Sequence, residues 1–112
     1  MASVKPKWVC VTVDPGICGF PCVIKARKTG AREVSLEISG SDCEQIKRMA
    51  ERLTTLSIKE LFTPLRRNPV YVSAEKSGCH LPCTIPVAVI KAAEVALELA
   101  LPQDVHIKFE SC

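Results

Sequence analysis

Seven cysteines in a chain of 112 residues constrain this protein more than any other feature of its sequence. The N-terminal residues reach lysine and proline before any apolar stretch of secretory length, so no signal peptide is expected and the expected compartment is the cytoplasm. In a reducing compartment cysteines are more often thiols or metal ligands than disulfides, and an odd count leaves at least one unpaired. The fold is therefore expected to present free thiols or to hold a metal.

Apolar and polar residues alternate over residues 8–13, 22–28 and 33–39, which predicts three half-buried strands. The connections between them are short, so sequential antiparallel pairing is expected. Ser41 with Glu44, and again Ser57 with Glu60, have the spacing of a capping box. These signals predict one helix that runs to about Leu53 and a short helix that ends before residue 64.

The second half of the chain predicts a long, largely buried helix from Thr84 to about Ala100, because only a narrow polar stripe interrupts its apolar residues. Residues 65–82 remain open between a short extended piece and a helical turn. Alternation over residues 104–110 predicts a last strand. We expect one domain over 1–112, with an N-terminal tail over 1–7. Its class is α+β in the order β-β-β-α-α-α-β, with helices packed on one face of a mainly antiparallel sheet.

The composition argues against several classes of function. A net charge of +3, basic residues that are mostly spread singly, and few aromatic residues make a nucleic-acid partner unexpected. Charged residues interrupt the longest apolar stretch, so no membrane partner is expected either. The sequence contains no G-x-S-x-G motif and no phosphate-binding loop, which favours a binding or scaffold protein over an enzyme. The sequence predicts no oligomeric state.

Several cysteines lie at the ends of predicted elements, where the elements of a two-layer domain converge on one rim. One cysteine from each of three loops would suit a labile zinc or a small iron-sulfur cluster. The expected ligands are Cys18, Cys43 and Cys83, and the further candidates are His80, Cys79 and Cys22.

Two alternatives stay open. The pairs Cys18–Cys22 and Cys79–Cys83 could together close a structural zinc site in an interaction module. The second alternative is a thiol redox protein in which Cys43, at a helix start, is the reactive thiolate.

Three segments carry a resemblance to a known family: "PGICG", "ISGSDCEQI" and "CHLPCTIPVAVIKAAEVA". Their order and spacing, over roughly residues 8–100, resemble the U-type iron-sulfur cluster assembly scaffolds (IscU and the NifU N-terminal domain). The resemblance implies a [2Fe-2S] cluster held by Cys18, Cys43 and Cys83, with His80 near the fourth place, and zinc in the same site when iron is absent. It also implies partner proteins that assemble or accept clusters. The chain is similar, too, to a small uncharacterised prokaryotic family with "PGICGF" and "ALP-DV" signatures.

Overall fold

A computed structural model describes residues 8–16 and 19–112 of the chain. It confirms the three predicted strands as β1 (Val9–Val13), β2 (Cys22–Gly30) and β3 (Glu33–Ser39). Each pairs antiparallel with the next. Alternation places the apolar residues of these strands on one face, which is the face that the helices cover. The buried positions of β2 and β3 are Cys22, Ile24, Ala26, Val34 and Leu36.

A fourth strand, β4 (Thr55–Ser57), was not predicted and pairs antiparallel with the start of β3. Three residues are too few to display an alternating pattern, so this strand gave no sequence signal. The sheet has the order β1-β2-β3-β4, and β1 and β4 are therefore its edges.

Four helices follow the third strand: α1 (Glu44–Arg52), α2 (Ile58–Leu61), α3 (Pro69–Lys76) and α4 (Ile85–Ala96). The predicted capping box at α2 is confirmed, because Ser57 Oγ accepts from the Glu60 N–H at 3.1 Å and Glu60 Oε1 accepts from the Ser57 N–H at 3.0 Å. The box predicted at α1 is wrong. Cys43 is the N-cap there, and the Ser41 hydroxyl accepts instead from the Cys43 N–H at 3.1 Å.

The region left open by the sequence, residues 65–82, holds a 3-10 helix (Leu65–Arg67), α3 and a loop. Asn68, which is 3% exposed, connects the segments of this region by side-chain hydrogen bonds. Its Oδ1 accepts from the Val70 N–H at 3.0 Å and so caps α3, with proline in the first turn. Its Nδ2 donates to three backbone carbonyls, those of Glu60, Leu61 and Thr63, at 3.2, 3.1 and 3.1 Å.

The long helix α4 ends earlier than predicted, at Ala96 rather than near Ala100. Just past its end, Glu98 has a φ of 62°, a left-handed conformation that non-glycine residues adopt at a cost. The prediction that α4 is largely buried is confirmed, since half of its residues lie in the core: Ile85, Pro86, Val89, Ala92, Ala93 and Ala96. The α+β class is confirmed as well. Within the described residues, no helix combines the length and apolar character that crossing a bilayer requires.

The predicted last strand over 104–110 is wrong for a single copy of the chain. Residues 101–112, all of them described, form no helix or strand, and every one is exposed. The alternating apolar residues Val105, Ile107 and Phe109 are 57%, 76% and 100% exposed. Alternation identifies residues that share a face, but a strand also needs a neighbour for its backbone groups, and the described residues of one copy supply none here.

Candidate thiol site

One end of the sheet gathers the cysteines that lie at element boundaries. β1 ends there, β2 begins there at Cys22, and β3 ends there, as the pairs Val13 with Cys22 and Val23 with Ser39 show. The chain then turns into α1, whose N-cap is Cys43. Cys22 and Cys43 therefore reach the same end of the sheet from two different elements.

The loop between α3 and α4 reaches the same end because α1 holds it there. Arg48 donates from Nε and Nη2 to the carbonyl oxygen of Ser77, at 3.3 and 3.0 Å. Gly78 has a φ of 77°, and a Cβ built on it would lie 3.8 Å from both Arg48 Nη2 and Gln45 Cγ. Arg48 therefore holds the residues that lead directly into Cys79 against α1.

The rest of this loop carries the second of its cysteines to the start of α4. The Cys83 N–H donates to the carbonyl oxygen of His80 at 3.0 Å, which closes a tight turn. Cys79 and Cys83 are both partly buried and pack against the hydrophobic core. This turn gives Cys79 and Cys83 fixed positions beside α1.

The electrostatics of these cysteines show that they lie close enough to influence one another. Burial, together with smaller contributions from negative charge on Cys83 and Cys43, raises the pKa of the Cys22 thiol to about 11. Burial likewise raises the pKa of Cys79 to about 11, again with contributions from Cys83 and Cys43, while the Arg48 guanidinium opposes the shift. We call Cys22, Cys43, Cys79 and Cys83 the thiol cluster.

The polar groups in and around the thiol cluster differ in whether they have a hydrogen-bond partner. The Cys43 thiol donates to Gln45 Oε1 at 3.0 Å, and a backbone hydrogen bond from Ser39 favours the thiolate of Cys22. Two buried hydroxyl oxygens in the described part of the chain lack a hydrogen-bond partner, Ser77 Oγ and Thr84 Oγ1. Ser77 lies two residues before Cys79, and Thr84 directly follows Cys83.

The raised pKa values predict that the metal-free protein loses stability in alkaline solution. Cys22 and Cys79 have ordinary values of 9.0 and folded values of about 11. Below pH 9 both states keep their protons, whereas between about pH 9 and 11 the unfolded thiols ionise first and the unfolded state gains. We expect a loss of about 2–3 kcal/mol across this window in urea unfolding, which is about the ceiling for the buried Cys22 alone; the contribution of Cys79 is discounted because that thiol is partly exposed.

The control for this prediction is the double variant Cys22→Ala/Cys79→Ala, because lysine and tyrosine side chains also titrate in the same range. The variant should lose stability less steeply than the wild type between pH 9 and 11. Equal slopes for the two proteins would contradict the prediction.

The structure places the predicted site residues unequally. It brings Cys43, Cys79 and Cys83 together and adds Cys22, which the sequence treated as a lesser candidate. His80 is exposed and contributes its backbone carbonyl to the turn. Cys18 lies outside the described residues. Within residues 8–16 and 19–112, no three or more side chains of His, Cys, Asp or Glu already stand in an arrangement that could hold a metal ion.

Alternation could have assigned Cys22 to the site from sequence. It precedes Ile24 and Ala26 at intervals of two in β2, so its side chain points inward at the first position of the strand. A thiol that points inward from the end of a strand contacts the loop that covers that end of the sheet, which here carries Cys79 and Cys83.

A protein-family model matches residues 9–109, and its description is "Family of unknown function (DUF6951)". The chain belongs to this family, which agrees with the expected similarity to an uncharacterised family. No curated protein and no solved structure matches the chain. None of these comparisons supports a relationship to the U-type scaffolds, which stays a prediction.

Proposed function

We propose, for a chain whose family carries no assigned function, that the thiol cluster binds a thiophilic metal, either as zinc or as a [2Fe-2S] cluster. The observation that carries the proposal is the convergence of four cysteines from three separate parts of the chain at one end of the sheet. Cys18, four positions before Cys22 in the sequence, joins the ligand candidates on sequence grounds alone.

The chemistry of the donors favours soft metals. Thiolate ligands select zinc, copper(I) and iron-sulfur clusters over magnesium or calcium. Arg48 adds a positive charge beside Cys79, which offsets part of the negative charge that several thiolates would accumulate. The proposed site is therefore anionic when loaded, with one cation of the protein next to it.

The proposed site closes upon its metal. The described thiols influence one another but do not stand as a ready ligand set, whereas zinc–sulfur bonds are only about 2.3 Å long. Binding would thus draw the α3–α4 loop and the start of α1 together. The hydrogen bonds from Arg48 to the Ser77 carbonyl and from the Cys83 N–H to the His80 carbonyl hold this loop in the metal-free protein, so metal binding would have to adjust them.

Metal binding must also displace protons, because Cys22 and Cys79 have pKa values of about 11 and are protonated at neutral pH in the metal-free protein. A metal that takes thiolates therefore releases protons, and its affinity rises with pH. This coupling distinguishes binding at the cluster from weak binding at surface carboxylates.

The first test uses metal-free, reduced protein titrated with Co²⁺ and then with Zn²⁺. We expect one equivalent of Co²⁺ to give a sulfur-to-cobalt charge-transfer band, together with intense visible bands of tetrahedral geometry, and Zn²⁺ to displace it. Anaerobic incubation with ferrous iron and sulfide tests the cluster form by its visible absorbance. Absence of both signals would overturn the proposal.

Serine substitutions assign the ligands. Cys43→Ser and Cys83→Ser should each weaken Zn²⁺ binding about 100-fold or more, in a competition titration with a coloured chelator, because each removes a thiolate ligand. Cys10→Ser is the matched control, since Cys10 is an exposed free thiol on β1 that no part of the site uses. An equal loss of Zn²⁺ affinity in the Cys10 variant would show that the metal binds any thiol of the protein and not this cluster.

The redox alternative needs a base next to its nucleophile, and the contact found at Cys43 does not provide one. The neighbour of Cys43 Sγ at 3.0 Å is the amide oxygen of Gln45, which accepts a hydrogen bond but does not take up a proton at neutral pH. The proposal also includes transfer of a cluster to acceptor proteins and residence in a reducing cytoplasm. The metal titration tests binding alone and does not depend on either.

A further inference from the structure

The segment 104–110 lies exposed although it has the pattern of a half-buried strand. Its apolar residues recur at every second position, as Val105, Ile107 and Phe109, and Phe109 is 100% exposed. Apolar side chains arranged with this period on an extended chain are typical of one face of a strand. The family match covers residues 9–109 and so includes nearly all of this segment together with the sheet.

The sheet offers a matching place at its β1 edge. β1 is five residues long and pairs with β2 on one side, so its other side forms the boundary of the sheet. Its inward residues Val9, Val11 and Val13 are only partly buried, although they pack against the core. An open edge with half-covered valines is the kind of edge to which an additional strand binds.

We propose that segment 104–110 of one copy adds as a strand to the β1 edge of a second copy, and that the reciprocal exchange makes a two-fold symmetric dimer. The three apolar residues of the segment then continue the inward face formed by the three valines of β1. The polar residues between them, His106 and Lys108, fall on the solvent face. Both the donor and the acceptor are present in every copy, which is the condition for closed two-fold exchange.

The direction of the chain after α4 favours exchange over folding back. Glu98, with its φ of 62°, turns the chain at the helix end, and all residues from 101 to 112 are exposed. The molecule measures 54 × 30 × 26 Å, and its radius of gyration is 14.3 Å. A compact chain of this length has a radius of about 13 Å, which agrees with a segment that extends away from its own sheet.

The other edge of the sheet is a poorer acceptor. β4 has three residues, Thr55–Ser57, and α2 begins directly after it at Ile58. A segment of seven residues would find fewer backbone partners there than along β1. The proposal therefore commits to β1.

The test measures the mass of the full chain by sedimentation or light scattering, with a reductant present so that the exposed Cys10 and Cys112 cannot link copies. We expect twice the monomer mass of 12.2 kDa. Ile107→Asp should give the monomer mass, because it places a charge in the apolar row. His106→Asp, one position earlier and on the polar side, should remain dimeric.

Amide hydrogen exchange locates the contact. Residues 9–13 and 105–109 should both be protected in the wild type, and both should lose protection at least 10-fold in the Ile107→Asp variant. A monomeric wild type would overturn the proposal, whether its segment is exposed or protected on its own sheet. A dimer that Ile107→Asp leaves intact would overturn it too. So would a variant in which residues 55–57 of β4, and not residues 9–13 of β1, lose amide protection together with residues 105–109.

Discussion

Replacing Asn68 with alanine is expected to lower the free energy of unfolding by about 3 kcal/mol. The side chain is almost fully buried and makes four hydrogen bonds, one that caps α3 and three to backbone carbonyls in the last turn of α2 and just beyond it. Loss of a cap costs about 1 kcal/mol, and each buried carbonyl left without a donor costs about 1 kcal/mol or more, less what water recovers. Thermal unfolding should shift downward by roughly 10 °C or more.

The variant Asn68→Asp separates the two roles of this residue. Aspartate keeps an oxygen that accepts from the Val70 N–H, so the cap of α3 is retained. It has no N–H to give to the three carbonyls, and instead directs a carboxylate oxygen at them. We expect Asn68→Asp to be nearly as unstable as Asn68→Ala in urea unfolding. Wild-type stability in Asn68→Asp would mean that the donors contribute nothing.

Ile24→Ala is expected to have an effect of similar size, about 3–4 kcal/mol, through the hydrophobic core. Ile24 is 0% exposed in β2, where it pairs with Val11 on one side and Ile38 on the other. Truncation to alanine removes three carbons from a fully enclosed position and leaves a cavity that the sheet cannot close. Equilibrium urea unfolding of the reduced protein should show a lower midpoint with an unchanged slope.

Ile24→Val is the matched control, since it removes one methylene and keeps a β-branched side chain suited to a strand. Its expected cost is about 1 kcal/mol. Equal losses for the two variants would indicate that the strand, and not the packing, is what the substitution disturbs.

The parts of the fold that the sequence predicted are those set by local rules. Three strands followed from alternation, and α2 from the reciprocal Ser57–Glu60 contacts. The same spacing at Ser41 and Glu44 gave a wrong prediction, because the N-cap of α1 is Cys43, two residues after Ser41, and the Ser41 hydroxyl accepts from the Cys43 N–H. Spacing gives the opportunity for a cap, but the path of the preceding strand decides which residue takes it.

Asn68 was missed although its signal was present in the sequence. Asparagine directly before proline is a common start of a helix, with the asparagine as N-cap. Its three hydrogen bonds to carbonyls at and just beyond the end of α2 depend on tertiary placement, and no local rule predicts them. Long-range hydrogen bonds of this kind require the fold to be known first.

The thiol cluster was predictable in outline and not in detail. That cysteines at the ends of elements gather at one rim follows from the geometry of two packed layers. Which of them face one another depends on the register of β2 against β1 and on the hold of Arg48 on the α3–α4 loop. The predicted ligand roles of Cys18, Cys43 and Cys83 stay predictions, as does the contribution of His80.

The hydrogen bonds from Arg48 to Ser77 give α1 a mechanical role. Cys43 is the N-cap of this helix, and Arg48, on the same helix, binds the carbonyl of Ser77, two positions before Cys79. Both loops are therefore attached to the same nine-residue helix, and the orientation of that helix sets the distance between Cys43 and Cys79. A displacement of α1 would therefore change the separation of Cys43 and Cys79 without any new contact to either cysteine.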